Sequence, residues 1–232
     1  MDIFYTIVDF FVKGGAFMLP ILLVGGAAAA ISIERYVTLT KLIISNRKAW
    51  NNVEPALTSG DFDNAREMTS NDQTAISRLL GVGLARQGAV RRLDDVEKAM
   101  RATMMEIIPP LEKRTHYLGT FANLATLLGL LGTVSGLIHA FTAVASANPA
   151  EKANLLAASI SEAMNCTAFG LVVAVPILFV HAFLQTKAIE LISSLETAAG
   201  KFMTVMADRQ SARAQSRLEA QSRPEFAKVA NG

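Results

Sequence analysis

YLGTFANLATLLGLLGTVSGLIHAFTAVASANPA, residues 117–150, runs for 34 residues without an Asp, Glu, Lys or Arg. A helix that crosses a bilayer needs about 20 apolar residues at about 1.5 Å each. This stretch is therefore long enough to cross and to begin a turn back. Downstream, AMNCTAFGLVVAVPILFVHAFLQT (163–186) holds 24 more uncharged residues, preceded by the lone acid Glu162. Upstream, GGAFMLPILLVGGAAAAISI (14–33) is a third such run, of 20 residues. No other segment qualifies, so the fold class is all-α: a polytopic membrane protein with three transmembrane helices and long helices extending into the cytoplasm.

The composition agrees. Of 232 residues, 51% are hydrophobic and 18% charged, against about 25% charged in an ordinary soluble domain. A net charge of +2, with no stripe of Lys or Arg interleaved with aromatics, argues against nucleic acid as a partner. The single cysteine, Cys166, excludes an internal disulfide and a Cys-based zinc site. The first run is read as a retained anchor and not a cleaved signal, because Asp2 and Asp9 precede it against a lone Lys13.

Basic residues orient the spans, since cytoplasmic loops carry the excess of Lys and Arg. Thirteen of the 22 lie between Arg35 and Arg114 and seven between Lys187 and Lys228. The outer segments have one each, Lys13 and Lys152. The expected organisation is an N-terminal periplasmic segment and first span at 1–35, a cytoplasmic helical domain at 36–116 and a second span at 117–141. A periplasmic loop at 142–157, a third span at 158–186 and a cytoplasmic helix and tail at 187–232 complete it. Within the cytoplasmic part, Ser59-Gly60-Asp61 and Ser70-Asn71-Asp72 are helix breaks, and Leu93-Asp94-Asp95 opens a new helix. Pro109-Pro110 is expected to kink or interrupt that helix below the membrane. The polar stretch from about Ser211 reads as a tail with a disordered end.

Eight small residues on the second span, from Gly119 through Thr126, Gly129, Thr133 and Gly136 to Ala143, recur three or four apart and so share a face. Ser159, Ala163, Thr167, Gly170 and Ala174 do the same on the third. Two such faces exceed what a three-helix monomer is expected to bury, which points to a homo-oligomer. Small residues let membrane helices approach closely; the competing reading is a pore wall with hydroxyls at intervals. In a hairpin centred on Ala150, Thr133 and Thr167 are equidistant from the centre and so lie at one depth. Such hydroxyls do not titrate, but they hydrogen-bond water or a neighbouring carboxyl. Glu162 is the one acid at the margin of the apolar core, where such groups tend to face a cavity or bundle interior. The same counting sets it near Ile138, so His139 is a candidate polar neighbour. His181 reads as interfacial.

Two stretches, LGLLGTVSGLIHAF (128–141) and SISEAMNCTAFGLVVAVP (159–176), together with Glu34-Arg35 directly after the first span, resemble the MotA/TolQ/ExbB proton-channel family, and the three-span order extends the likeness over nearly the whole chain. The resemblance implies the channel-forming subunit of an inner-membrane motor driven by the proton-motive force, ExbB/TolQ-like, with a gliding motor as one option. It implies a pentameric ring around two single-span partners of the ExbD/TolR/MotB type, each supplying a membrane aspartate. By position, Thr133 and Thr167 look like the pore threonines and Glu162 like the third-span glutamate, and the resemblance assigns all three to the lining of the proton path. Pro176 matches the family's third-span proline, His139 a histidine of some TolQ-like members, and Glu34 and Arg35 the cytoplasmic interface. Gly129, Gly132, Gly136 and Gly170 are assigned to packing and Pro176 to a kink. No cofactor is implied; the coupling ion is the proton, with sodium as the alternative. The absence of a peptidoglycan-binding region and of a titratable residue in the first span suits the channel subunit and not its partner.

No nucleophile–base set, metal-ligand cluster or phosphate loop occurs, so an enzyme is not expected. The competing class is a membrane scaffold whose small-residue stripes are packing seams and nothing more.

Overall fold

Every described element is a helix. The computed structural model describes residues 15–86 and 93–229; the expected periplasmic segment before Gly15 lies outside them. In order, the elements are α1 (Met18–Ser59), α2 (Phe62–Ser70), α3 (Ala75–Arg86), α4 (Leu93–Glu112), α5 (Thr115–Ser146) and α6 (Lys152–Val229). Three stretches are long and apolar enough to cross a membrane: Met18–Ser59, Leu93–Ser146 and Lys152–Ser216. The chain divides into two units, Met1–Leu39 with Leu111–Ala188 and Thr40–Pro110 with Ile189–Gly232.

The first unit holds the apolar spans. Ile21, Ala28 and Leu39 of α1, Leu118, Ala122 and Ala125 of α5, and Cys166, Ala174, Ile177 and Leu184 of α6 form one buried cluster. The remaining faces stay apolar yet exposed, including Leu23 at 66%, Leu127 at 60% and Phe179 at 77%. Exposed side chains of this kind suit hydrocarbon or another protein surface and not water. The α4–α5 break falls at Lys113-Arg114, just after Pro109-Pro110. The prolines remove two N–H donors near the end of α4, so its last turn has little to carry it onward.

The second unit shows how local chemistry sets the ends of its helices. Gly60, at φ +78°, ends α1 in a left-handed turn. Its N–H bonds the Leu57 carbonyl at 3.1 Å and the Asp61 N–H bonds that of Ala56 at 2.9 Å, the Schellman pattern. Asp61 then caps α2 by accepting from the Asn64 N–H at 3.2 Å. Asp72 stands before α3 and accepts from the Thr74 and Ser77 hydroxyls, both at 2.8 Å. Buried Asn46 of α1 accepts from the Ile76 N–H at 2.7 Å, satisfying an orphan donor of α3 from outside the helix. Arg209 of α6 donates to the Ser59 carbonyl at 2.7 Å and lies over the Phe62 ring. Lys201 pairs with Glu54 at 2.7 Å and sits over Trp50.

Two features of α6 concern positions that the sequence reading singled out. α6 is helical through Pro176, whose missing N–H leaves the Val172 carbonyl without its usual donor. The helix also continues past Ser211 to Val229; alanine, glutamine, arginine and glutamate there are good helix formers despite their polarity.

Candidate functional site: the α5–α6 seam

α5 and α6 meet along their glycines. A Cβ placed on Gly129 would stand 3.2 Å from the Thr167 Cα and 3.3 Å from both the Cys166 carbonyl oxygen and the Gly170 Cα. One on Gly170 would stand 2.8 Å from the Ala125 carbonyl oxygen, and one on Gly136 2.8 Å from the Ala163 Cβ. At Gly132 the space is already filled by the Cys166 thiol. The numbers of these facing residues (132 and 166, 136 and 163, 129 and 170) add to 298 or 299, and Gly119 with His181 gives 300. Counting equally from Ala150 gives this register to within two residues. The two helices are in backbone contact, as small-residue seams in membranes allow.

The glycines of the small-residue stripe therefore pack against their own chain, so they are not what a pore wall would present. The threonines flank the seam. Thr167 donates its hydroxyl hydrogen across it to the Gly129 carbonyl at 2.8 Å. Thr133, one turn after Gly129, donates to the Leu130 carbonyl of its own helix at 2.6 Å. Both are half-buried, so each keeps an open side. No hydrogen bond joins them to each other among the described residues. Thr126, two turns before Thr133, is exposed and donates to the Ala122 carbonyl at 3.1 Å.

Glu162 stands apart from this pair. Five residues separate it from Thr167, which is about 140° around the helix at about 100° per residue. Its carboxylate rests on Gly15 at the start of the first span. His139 is exposed on α5, and no hydrogen bond or ion pair joins it to Glu162 among the described residues. His181 lies half-buried against Gly119, and Pro176 is exposed on α6.

Toward the other end of the same unit, Glu34 binds two cations. Its carboxylate is 3.4 Å from the buried Arg35 guanidinium and 3.1 Å from that of Arg114. Thr38 donates to it at 3.4 Å. Arg114 occupies the α4–α5 break, so the acid ties that break to α1. Sequence reasoning selected Glu34 and Arg35 but missed Arg114, because nothing local relates residues 80 positions apart. It also missed Gly15 and the fit of Cys166 over Gly132. No cluster of His, Cys, Asp or Glu suited to a metal occurs among the described residues.

The sequence that builds this seam is similar to known proteins. Residues 71–197 match the MotA/TolQ/ExbB proton channel family. The chain is 32% identical over 181 residues to biopolymer transport protein ExbB-like 1 of Synechocystis sp., covering 77% of this chain and 70% of that protein. It is 34% identical over 106 residues to the Tol-Pal system protein TolQ of Haemophilus influenzae, covering 46% of this chain and 44% of that one. The alignment thus spans less than half the length of that TolQ. The matched region contains both the glycine seam and its threonines, and on these grounds the chain belongs to the MotA/TolQ/ExbB proton channel family.

Proposed function

We propose that this chain is the channel-forming subunit of an inner-membrane motor, lining a path on which protons drive mechanical work. Copies of it would surround a single-span partner of the TolR/ExbD kind that carries a membrane carboxyl. The ring is proposed as a pentamer and the partner as two copies, with the basic segments in the cytoplasm. The role requires no cofactor and makes or breaks no covalent bond in a substrate.

The observation that carries this reading is the direction of two hydroxyls. Thr167 and Thr133 lie at about one level and have both committed their only hydrogen to backbone carbonyls. Toward a third group, each oxygen acts only as an acceptor. A protonated carboxyl on the partner donates to such an oxygen, whereas a carboxylate finds no donor there. The wall thus favours the neutral acid and raises its pKa, as burial already does. An acid that must be protonated to lie against the wall, and that leaves it on ionising, changes its fit with each proton. The transmembrane potential supplies about 2.3 kcal/mol per charge per 100 mV for that cycle. The proton is the coupling ion on this account, and sodium is the alternative.

The scaffold reading draws on the glycines of the α5–α6 seam, Gly129, Gly132, Gly136 and Gly170, which are used in packing within the chain. Valine at position 133 separates the two. Thr133 bonds only its own helix, so Thr133→Val removes the acceptor without touching the seam. With the partner co-expressed, assembly is read by co-purification and proton uptake in membrane vesicles. Uptake is expected to fall about ten-fold or more, with assembly intact and a milder effect from Thr126→Val. Thr167→Val also breaks an interhelical bond, so Thr167→Ser, which keeps the bond, is its control. Undiminished uptake by Thr133→Val in an assembled complex would refute the channel wall and leave the scaffold.

A further inference from the structure

We infer that Glu162 is a positioning residue that pins the outer end of the first span, through a seat that only glycine at position 15 provides. One carboxylate oxygen of Glu162 occupies the place a Cβ on Gly15 would take, and the carbons behind it lie 3.3 and 3.5 Å from that point. Gly15 has φ +77°, the left-handed conformation that side chains other than glycine's adopt only under strain. Its carbonyl accepts from the Met18 N–H at 3.2 Å, so Gly15 forms the turn that opens α1. The first turn of α1 contains no acid of its own. A carboxylate set there by another helix meets the positive end of the α1 dipole.

A second contact fixes the same place. The Phe17 Cβ lies 3.6 Å from where a Gly132 Cβ would stand, and the Cys166 thiol fills that point. Glu162 and Cys166, one turn apart on α6, therefore lie near Gly15 and Phe17, two residues apart where the chain enters α1, the second pair meeting around the Gly132 position. With Glu162 about 140° from Thr167, this contact lies away from the threonine-lined surface. The inference goes beyond the proposed function, and of its tests only the last, on proton uptake, rests on that reading.

The shared position of Phe17 and Cys166 supplies the assay. Phe17→Cys is expected to form a disulfide with native Cys166 when the full-length protein is oxidised in membranes. The rate is read by loss of thiol labelling. Adding Glu162→Gln, Glu162→Ala or Gly15→Ala should slow closure about five-fold, with Glu162→Asp closer to the parent. Thr133→Val should leave the rate unchanged, which separates this inference from the wall. Should Phe17→Cys fold poorly, labelling of Cys166 with Phe17 intact gives the same information, rising in the Glu162 and Gly15 variants. Rates within two-fold of the parent in all three variants would overturn the pin. In the assembled complex, closing the bridge between positions 17 and 166 should restore proton uptake lost by Glu162→Gln. Persistent loss with the bridge closed would put Glu162 on the ion path and overturn the positioning role.

Discussion

Alanine at Gly129 tests the seam most directly. Its Cβ would meet three backbone atoms at 3.2–3.3 Å, closer than ordinary contact, and backbone does not swing aside as a flexible side chain does. The helices must part by a few tenths of an ångström. Overpacking of this kind costs about 1–3 kcal/mol, and the better helix propensity of alanine returns at most about 1 kcal/mol. Parting the helices also stretches the Thr167–Gly129 bond, and interhelical hydrogen bonds in membranes average about 0.6 kcal/mol. The expected net loss is about 1–2 kcal/mol. Gly26→Ala is the internal standard: nothing lies within 4 Å of its added Cβ, so it should be neutral or stabilising by up to about 1 kcal/mol. Unfolding of the full chain in mixed micelles measures both. A double-mutant cycle sharpens the test, because once Gly129→Ala has parted the helices, Thr167→Val should add less than it costs alone. Equal stabilities for Gly129→Ala and Gly26→Ala, or strict additivity with Thr167→Val, would refute the backbone-contact seam.

Two further outcomes follow from other parts of the chain. Burial disfavours the Asp72 charge, but the Ser77 and Thr74 hydroxyls and the Thr74 and Gln73 N–H groups outweigh it and hold its pKa below the ordinary 3.8. A depressed acid stabilises the fold above its unfolded pKa and loses that contribution as pH falls through the folded one. Amide protection at the start of α3 should then be flat from neutral pH to about 4 and fall below that, while Asp72→Ala should cost about 1 kcal/mol at neutral pH. The orientation is checked by cysteine labelling in intact cells. Reagent from outside should reach positions 148 or 151 but not 47 or 91; labelling of the second pair would reverse the topology.

The three-span helical fold was legible because lipid leaves few choices: charged residues are costly in hydrocarbon, so the charge-free runs mark the spans. The turn at Ser59-Gly60-Asp61 was legible for a local reason, since a left-handed glycine followed by a capping aspartate carries its own signal. Depth along the hairpin could be counted, as the Gly129–Gly170 and Gly136–Ala163 approaches illustrate. Rotation could not. Whether Glu162 turns toward His139 or toward Gly15 depends on how three helices are clocked about their axes, and no single helix encodes that. The acceptor of Thr167 was hidden for the same reason. A threonine in a membrane helix commonly bonds its own backbone, as Thr126 and Thr133 do, and only the glycine opposite lets Thr167 reach across.

The Arg209 contact ties two helix lengths together. Within the second unit, Lys201 meets Glu54 and Arg209 meets Ser59 and Gly60, so α1 and α6 are matched in the same chain direction. One residue inserted between Lys201 and Arg209 would rotate the guanidinium by about 100° and advance it about 1.5 Å. That would take it off the α1 terminus, where it fills the space a side chain on the left-handed Gly60 would enter. Gaps in this stretch of either helix are therefore not expected to be independent: a length change in one should need a compensating change in the other, as in a single measured strut.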